Sequence, residues 1–260
     1  MSEPRFQITS KKKRVSSPWW GIHEARYRFA LKYARGDKHL DIACGTGYGL
    51  PILAGTVKYI IGVDIEAPAL LSALDEIIGV TASLVRASGC RLPFRDHAFD
   101  GVTSFETIEH LHDRETFVSE LARVLAPGGV CILSTPNAIY TRPVNGKPRN
   151  PYHIHEYVPS ELRALLAKYF KSVDLLGQCL RPTFAISPFW DDQQHLCTAQ
   201  ERCRLVLWQI LNRLPRFARE SLSQAFWGHP FTPDFTDYVF NASGLDEAPV
   251  QVAICRSPVK

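Results

Sequence analysis

The stretch Leu40-Asp41-Ile42-Ala43-Cys44-Gly45-Thr46-Gly47-Tyr48-Gly49 decides the fold. An apolar strand carries one acid, Asp41, and breaks into a loop with glycine at 45, 47 and 49. Glycine adds no Cβ and tolerates positive φ, so main-chain amides of such a loop can come close to a bound ligand. An acid beside the loop suits a ligand with positive charge and repels a pyrophosphate. The spacing G-x-G-x-G also departs from the G-x-G-x-x-G of dinucleotide-binding turns.

Outward from this loop, strand and helix signals alternate. Apolar, β-branched runs predict strands over 39–43, 59–63, 83–87, 99–105, 130–134, 173–177 and 250–255. Helical spacing predicts helices over 24–34, 68–78 and 115–125, and a further one from Ser160 as N-cap. This rhythm implies an α/β chain: a doubly wound, mostly parallel, seven-stranded sheet, with its ligand beyond the carboxyl ends of the strands. The expected organisation is a flexible basic tail over 1–17, a ligand-binding core over 18–187, a helical insertion over 188–248 and the last strand of the core in 249–260. Residues 136–157, rich in Pro, Asn, Tyr and His, are expected to form a long loop over the active face.

Composition sets outer limits. The 260 residues are 45% hydrophobic and 22% charged, ordinary for a globular chain. A net charge of +4 is too small to argue for nucleic acid, and part of it sits in Lys11, Lys12, Lys13 and Arg14 of the tail. Seven cysteines without a Cys-x-x-Cys pair argue against a zinc knuckle. The odd count, with no secretory signal core, favours a reducing cytoplasm. Arginines at 202, 204, 213, 216 and 219 are interspersed with apolar residues. They suit a helical cap on the core, a dimer contact, or peripheral membrane contact through 200–220.

The glycine loop resembles motif I of the class I S-adenosylmethionine (SAM) methyltransferases. Val85-Arg-Ala-Ser88-Gly-Cys-Arg-Leu-Pro-Phe94 and Ala98-Phe-Asp-Gly-Val102 are similar to later motifs of that family, as are Arg123-Val-Leu-Ala-Pro-Gly-Gly129 and Val250-Gln-Val-Ala-Ile-Cys-Arg256. Within the family, residues 150–162 are similar to the ubiquinone-O-methyltransferase type and to bacterial enzymes that look like glycan modifiers. The resemblance implies a Rossmann-like sheet and SAM as cofactor, with S-adenosylhomocysteine as product. It implies that Asp41, Ala43, Gly45 and Gly47 surround the methionine end, that Asp64 accepts the ribose hydroxyls, and that Ile65, Ser88 and Phe105 border the adenine and the sulfonium. Many members carry Asp where Ser88 stands; a hydroxyl accepts the same bond more weakly.

Glu106-Thr-Ile-Glu109-His110 follows the fourth strand, and His153 and His155 lie in the loop. Glu109, His110, His153 and His155 are the candidate catalytic groups, since an unactivated hydroxyl acceptor needs a base. With strand-like spacing, His153 and His155 would share one face. The Glu-x-x-Glu-His pattern also resembles the metal site of small-RNA 2′-O-methyltransferases, so a divalent ion is possible, although the sequence favours none. The expected acceptor is a small molecule or glycan, a sugar hydroxyl above all, rather than nucleic acid. A metal-assisted reaction on an RNA ribose or a catechol-like ring, and a non-catalytic SAM-binding regulator, are the alternatives. Oligomeric state has no sequence signal.

Overall fold

The computed structural model describes residues 20–181 and 199–259. The expected tail over 1–17 lies outside the described residues, as does the first part of the expected insertion. Contacts divide the chain into two units. Among described residues, the first holds 26–178 and 240–259, and the second holds 20–25, 179–181 and 199–239.

An eight-stranded sheet runs β3-β2-β1-β4-β5-β8-β6-β7. Its strands are β1 (Lys38–Ile42), β2 (Tyr59–Asp64), β3 (Ala82–Arg86), β4 (Phe99–Phe105), β5 (Leu125–Pro136), β6 (Phe170–Leu180), β7 (Tyr238–Asn241) and β8 (Val250–Pro258). β1 to β5 pair in parallel, and β8 enters antiparallel between β5 and β6. The doubly wound fold is as the sequence implies, but among the described residues the sheet has eight strands rather than seven. The extra strand, Tyr238–Asn241, is a four-residue piece inside the expected helical insertion. So short a run carries no periodicity of its own.

Helices α1 (Trp20–Ala30), α2 (Leu50–Leu53), α3 (Ala67–Glu76), α4 (Arg114–Val124), α5 (Ala138–Thr141) and α6 (Pro159–Leu166) precede α7 (Ala199–Asn212) and α8 (Arg216–Trp227). α4 shows why its residues are helical. Asp113 caps it by accepting from Thr116 N–H, and Phe117, Val118, Leu121, Ala122 and Val124 form its buried stripe. It ends at Val124 because Leu125 is already extended, one residue before the sequence signal. α6 begins with Pro159 in its first turn after Val158, so Ser160 is not its N-cap. Leu40, Ile42, Val102 and Leu133 from the central strands meet Phe117, Leu121, Leu162 and Phe170 in one continuous core. This core fixes the carboxyl ends of β1, β2 and β4 side by side.

Candidate active site

Three loop residues take left-handed backbone: Ala43 (φ 57), Gly45 (φ 56) and Gly47 (φ 75). Ala43 bears this with a Cβ, a cost of about 1–2 kcal/mol. A Cβ built on Gly45 would meet no protein atom within 4 Å, so the space beyond the loop is open. Gly49 has the opposite constraint: a Cβ there would stand 2.0 Å from the ring of Tyr27.

Asp64, at the end of β2, ties this loop to the start of α3. Its Oδ2 accepts from the Gly45 amide at 2.8 Å and its Oδ1 from the Glu66 amide at 2.9 Å. Each oxygen keeps acceptor capacity toward a ligand hydroxyl. Ile65 beside it is 54% exposed, an apolar side chain open to a ligand. Ser88 accepts from the Cys90 amide at 3.2 Å. Phe105, at the end of β4, meets the ring of Tyr27 edge to face at 4.9 Å.

Asp41 lies under the loop, buried at 1% exposure. Tyr27 donates to its Oδ2 at 3.0 Å, and Thr103 donates to Oδ1 at 2.6 Å. Burial pushes its carboxyl up to about 7, although both hydroxyls favour the charged form. His39 meets the Thr103 hydroxyl at 3.2 Å, and burial lowers its imidazole to about 4. Asp100 accepts the amides of Asp37 and Lys38 at the start of β1.

A second polar cluster follows β4. Glu106 has a left-handed backbone (φ 51) and pairs with Arg26 at 2.7 Å. Arg26 is 2% exposed, and Ser134 donates to the same Glu106 oxygen at 2.8 Å. Arg26 gave one signal in the sequence: it stands midway between Ile22 and Ala30 at four-residue intervals on α1, a row otherwise apolar.

Glu109 sits in a 3-10 turn, Ile108–His110, and is fully buried. Its Oε2 accepts from Thr135 at 2.9 Å, while Oε1 has no hydrogen-bond partner. Burial, and then the charge of Glu106, raise its carboxyl well above the ordinary range. Its carbonyl accepts the amides of Ile154 at 2.7 Å and His155 at 3.2 Å, which pins the 150–156 loop.

His110 Nδ1 bonds the Tyr152 carbonyl at 2.8 Å. His153 Nδ1 bonds Glu156 at 2.5 Å, and Asn150 donates its amide to His153 Nε2 at 3.0 Å. The Asn150 orientation follows from Tyr152, whose amide donates to its Oδ1. His153 therefore carries its proton on Nδ1 and presents Nε2 as an acceptor. Glu156 is pushed up by burial, but bonds from His153 and Thr141 outweigh this and hold it below its ordinary value. The rings of His110 and His153 stand 4.9 Å apart. One donor atom from each of Glu109, His110 and His153 falls within 4.8 Å of the others.

His155 does not join them. Its Nε2 meets Glu161 of α6 at 2.7 Å, and its ring packs edge-on against Tyr157. The segment is a tight turn after Asn150-Pro151 rather than a strand, so the two histidines do not share a face. The loop is firmly anchored: Ala138 N–H donates to the Tyr157 carbonyl, Gln251 to the carbonyls of Pro136 and Tyr157, and Arg149 to those of Thr141 and Arg142.

A family described as "Methyltransferase domain" matches residues 40–133, from the glycine loop through most of β5. A probable S-adenosylmethionine-dependent methyltransferase of Mycolicibacterium smegmatis is 36% identical over 160 residues, 61% of this chain and 62% of that protein. The chain thus spans less than two thirds of the length of that relative. A ubiquinone/menaquinone biosynthesis C-methyltransferase of Xylella fastidiosa is 32% identical over 201 residues, 71% of this chain and 75% of that protein. Among solved structures, an S-adenosylmethionine-dependent methyltransferase from Mesorhizobium loti superimposes with a TM-score of 0.53 at 17% identity, covering 94% of this chain and all of that one (100%). The residues present fit the cofactor named for the M. smegmatis and M. loti proteins: open space over Gly45, an acid with spare acceptor capacity at Asp64, an exposed apolar face at Ile65. With the fold, the loop and a relative matched over three quarters of its length in agreement, the chain belongs to the S-adenosylmethionine-dependent methyltransferases.

Proposed function

We propose that this chain transfers a methyl group from SAM to an oxygen of a small polar acceptor, a sugar hydroxyl or the end of a glycan being the favoured class. Bound SAM supplies a methyl on a sulfonium, open to in-line displacement. The chain's own part is to position, to keep water out and to take a proton. Asp64 receives the ribose hydroxyls, while the open space beside the Gly45 backbone leaves room for the amino-acid end, and Gly47 lets the loop pack against Ala73. Holding the acceptor in near-attack geometry supplies much of the rate. A neutral hydroxyl must also lose its proton, and the one observation that carries an oxygen acceptor is the His153–Glu156 pair. Glu156 holds Nδ1–H at 2.5 Å and leaves Nε2 to receive a proton. The Asn150 amide now on Nε2 marks where the acceptor hydroxyl would bind.

The test is calorimetric titration with SAM and S-adenosylhomocysteine, followed by labelled methyl transfer to a panel of methyl glycosides. Binding by both His153→Ala and the parent, with turnover only in the parent, is expected. Absence of cofactor binding by the parent removes the proposal. The X. fastidiosa relative is named for methylation at carbon. A carbon-linked methyl in the product would overturn the oxygen assignment and leave the cofactor assignment standing.

A second reading has its own support. The buried Oε1 of Glu109, which has no hydrogen-bond partner and lies 3.9 Å from His110 Nε2, forms with His110 and His153 a ligand set suited to a divalent cation, which would bind and acidify the acceptor. It predicts turnover that chelation abolishes and a divalent ion restores.

A further inference from the structure

α7 and α8 both lie in the second unit. One side of α7 is packed: Trp208 and Leu211 are buried with Phe231, the rings of Trp208 and Phe231 stacked at 6.2 Å. The other side is exposed and apolar. Val206, Leu207 and Ile210 fall at helical spacing and are 53%, 38% and 54% exposed. Arg202 stands one turn before Val206 and Arg213 just past Ile210, both exposed. After Pro215 come exposed Arg216 and Phe217, the phenylalanine at 76%. On α8, Leu222 and Phe226 follow at a spacing of four, and both are exposed.

The charge is concentrated as well. Residues 202–226 hold five arginines against one acid, Glu220, a net +4 that equals the +4 of the whole chain. Arg219 is engaged internally, donating to Asn212 at 2.8 Å and lying over Phe231, but Arg202, Arg213 and Arg216 face outward.

We infer that this surface docks on an anionic lipid bilayer, with Val206, Ile210 and Phe217 entering the headgroup boundary and Arg202, Arg213 and Arg216 meeting lipid phosphates. A surface that alternates protruding apolar side chains with guanidinium groups matches that boundary, which takes both at once. A nucleic-acid backbone would use the arginines and leave Val206 and Ile210 in water. A second copy would set one concentrated positive charge against another. No helix among the described residues is long and apolar enough to cross a membrane, so the contact is in the plane of the surface.

The test is co-sedimentation of the full chain with phosphatidylglycerol–phosphatidylcholine vesicles. The parent sediments with them, is released by high salt and ignores pure phosphatidylcholine. Val206→Glu/Ile210→Glu and, separately, Arg213→Gln/Arg216→Gln each lower the partition coefficient about tenfold or more. Both retain the parent's helicity and its calorimetric response to SAM, which keeps this outcome separate from the fate of the catalytic proposal. A parent that stays in the supernatant with anionic vesicles overturns the inference. So does a Val206→Glu/Ile210→Glu chain that binds as well as the parent, arginine-dependent retention of duplex RNA without vesicle binding, or dimerisation that these substitutions abolish while vesicles are ignored.

Discussion

Tyr27 donates its phenolic proton to Asp41 at 3.0 Å, beneath the glycine loop and out of reach of water. This buried acid has a folded-state value of about 7 against an ordinary 3.8. Between those values the folded chain holds a proton that the unfolded chain has released. Stability from this group therefore falls as pH rises through the window, and the penalty is complete above about 7. Asp41→Asn removes the titration. Its stability relative to the parent should improve by on the order of 2–4 kcal/mol between pH 5 and pH 8. Denaturant midpoints at the two pH values check this, and a difference independent of pH would contradict it.

His39 works in the opposite sense. Its folded-state value of about 4 lies below the ordinary 6.5, so the stability it contributes is present above 6.5 and is lost as pH falls toward 4. His39→Gln keeps a polar group for Thr103 without a charge to bury. Its acid-unfolding midpoint should fall below that of the parent, as followed by circular dichroism.

Gly45 and Gly49 separate ligand space from protein space. Gly49→Ala drives a methyl into the Tyr27 ring at otherwise ordinary φ, and should cost about 1–3 kcal/mol from overpacking. At Gly45 an added Cβ meets no protein atom within 4 Å, and the backbone strain of Gly45→Val is about 1–2 kcal/mol. A folded Gly45→Val chain should lose SAM affinity by roughly tenfold or more, because the added atoms occupy the cofactor's place. Unchanged calorimetric affinity would move the cofactor off this loop.

Arg26→Met leaves Glu106 without its cation beside a buried neighbour. A loss of about 2–4 kcal/mol is expected, below the full cost of a broken buried pair because Glu106 is 25% exposed. Arg26→Met/Glu106→Gln should recover part of the loss. Thermal denaturation of both single variants and the pair gives the coupling, and strict additivity would show that the two side chains do not interact.

The sheet up to β5 was readable because strand-length, largely apolar runs alternate with helical spacing, as in Tyr59–Asp64, which ends at an acid. Asp64 and Ile65 stood out for the same reason: they follow a strand end that the fold must place in the crevice. β7 was hidden by its length, and the true end of α4 by a Pro-Gly-Gly that lies inside β5. The parting of His153 from His155 depends on Glu156 and Glu161, partners whose positions are set by a turn and by α6. Local pattern marks Arg26 at most as buried and does not mark Tyr27, since their partners Glu106 and Asp41 are distant in sequence and meet them only once α1 packs.

The place of Val250–Pro258 between β5 and β6 has a consequence for biosynthesis. Of the eight strands, this one leaves the ribosome after all the others, yet two neighbours depend on it. Until it arrives, β5 offers an open edge and β6 has no partner on that side, so nascent chains stalled before residue 250 should be the form that chaperones hold and proteases clear.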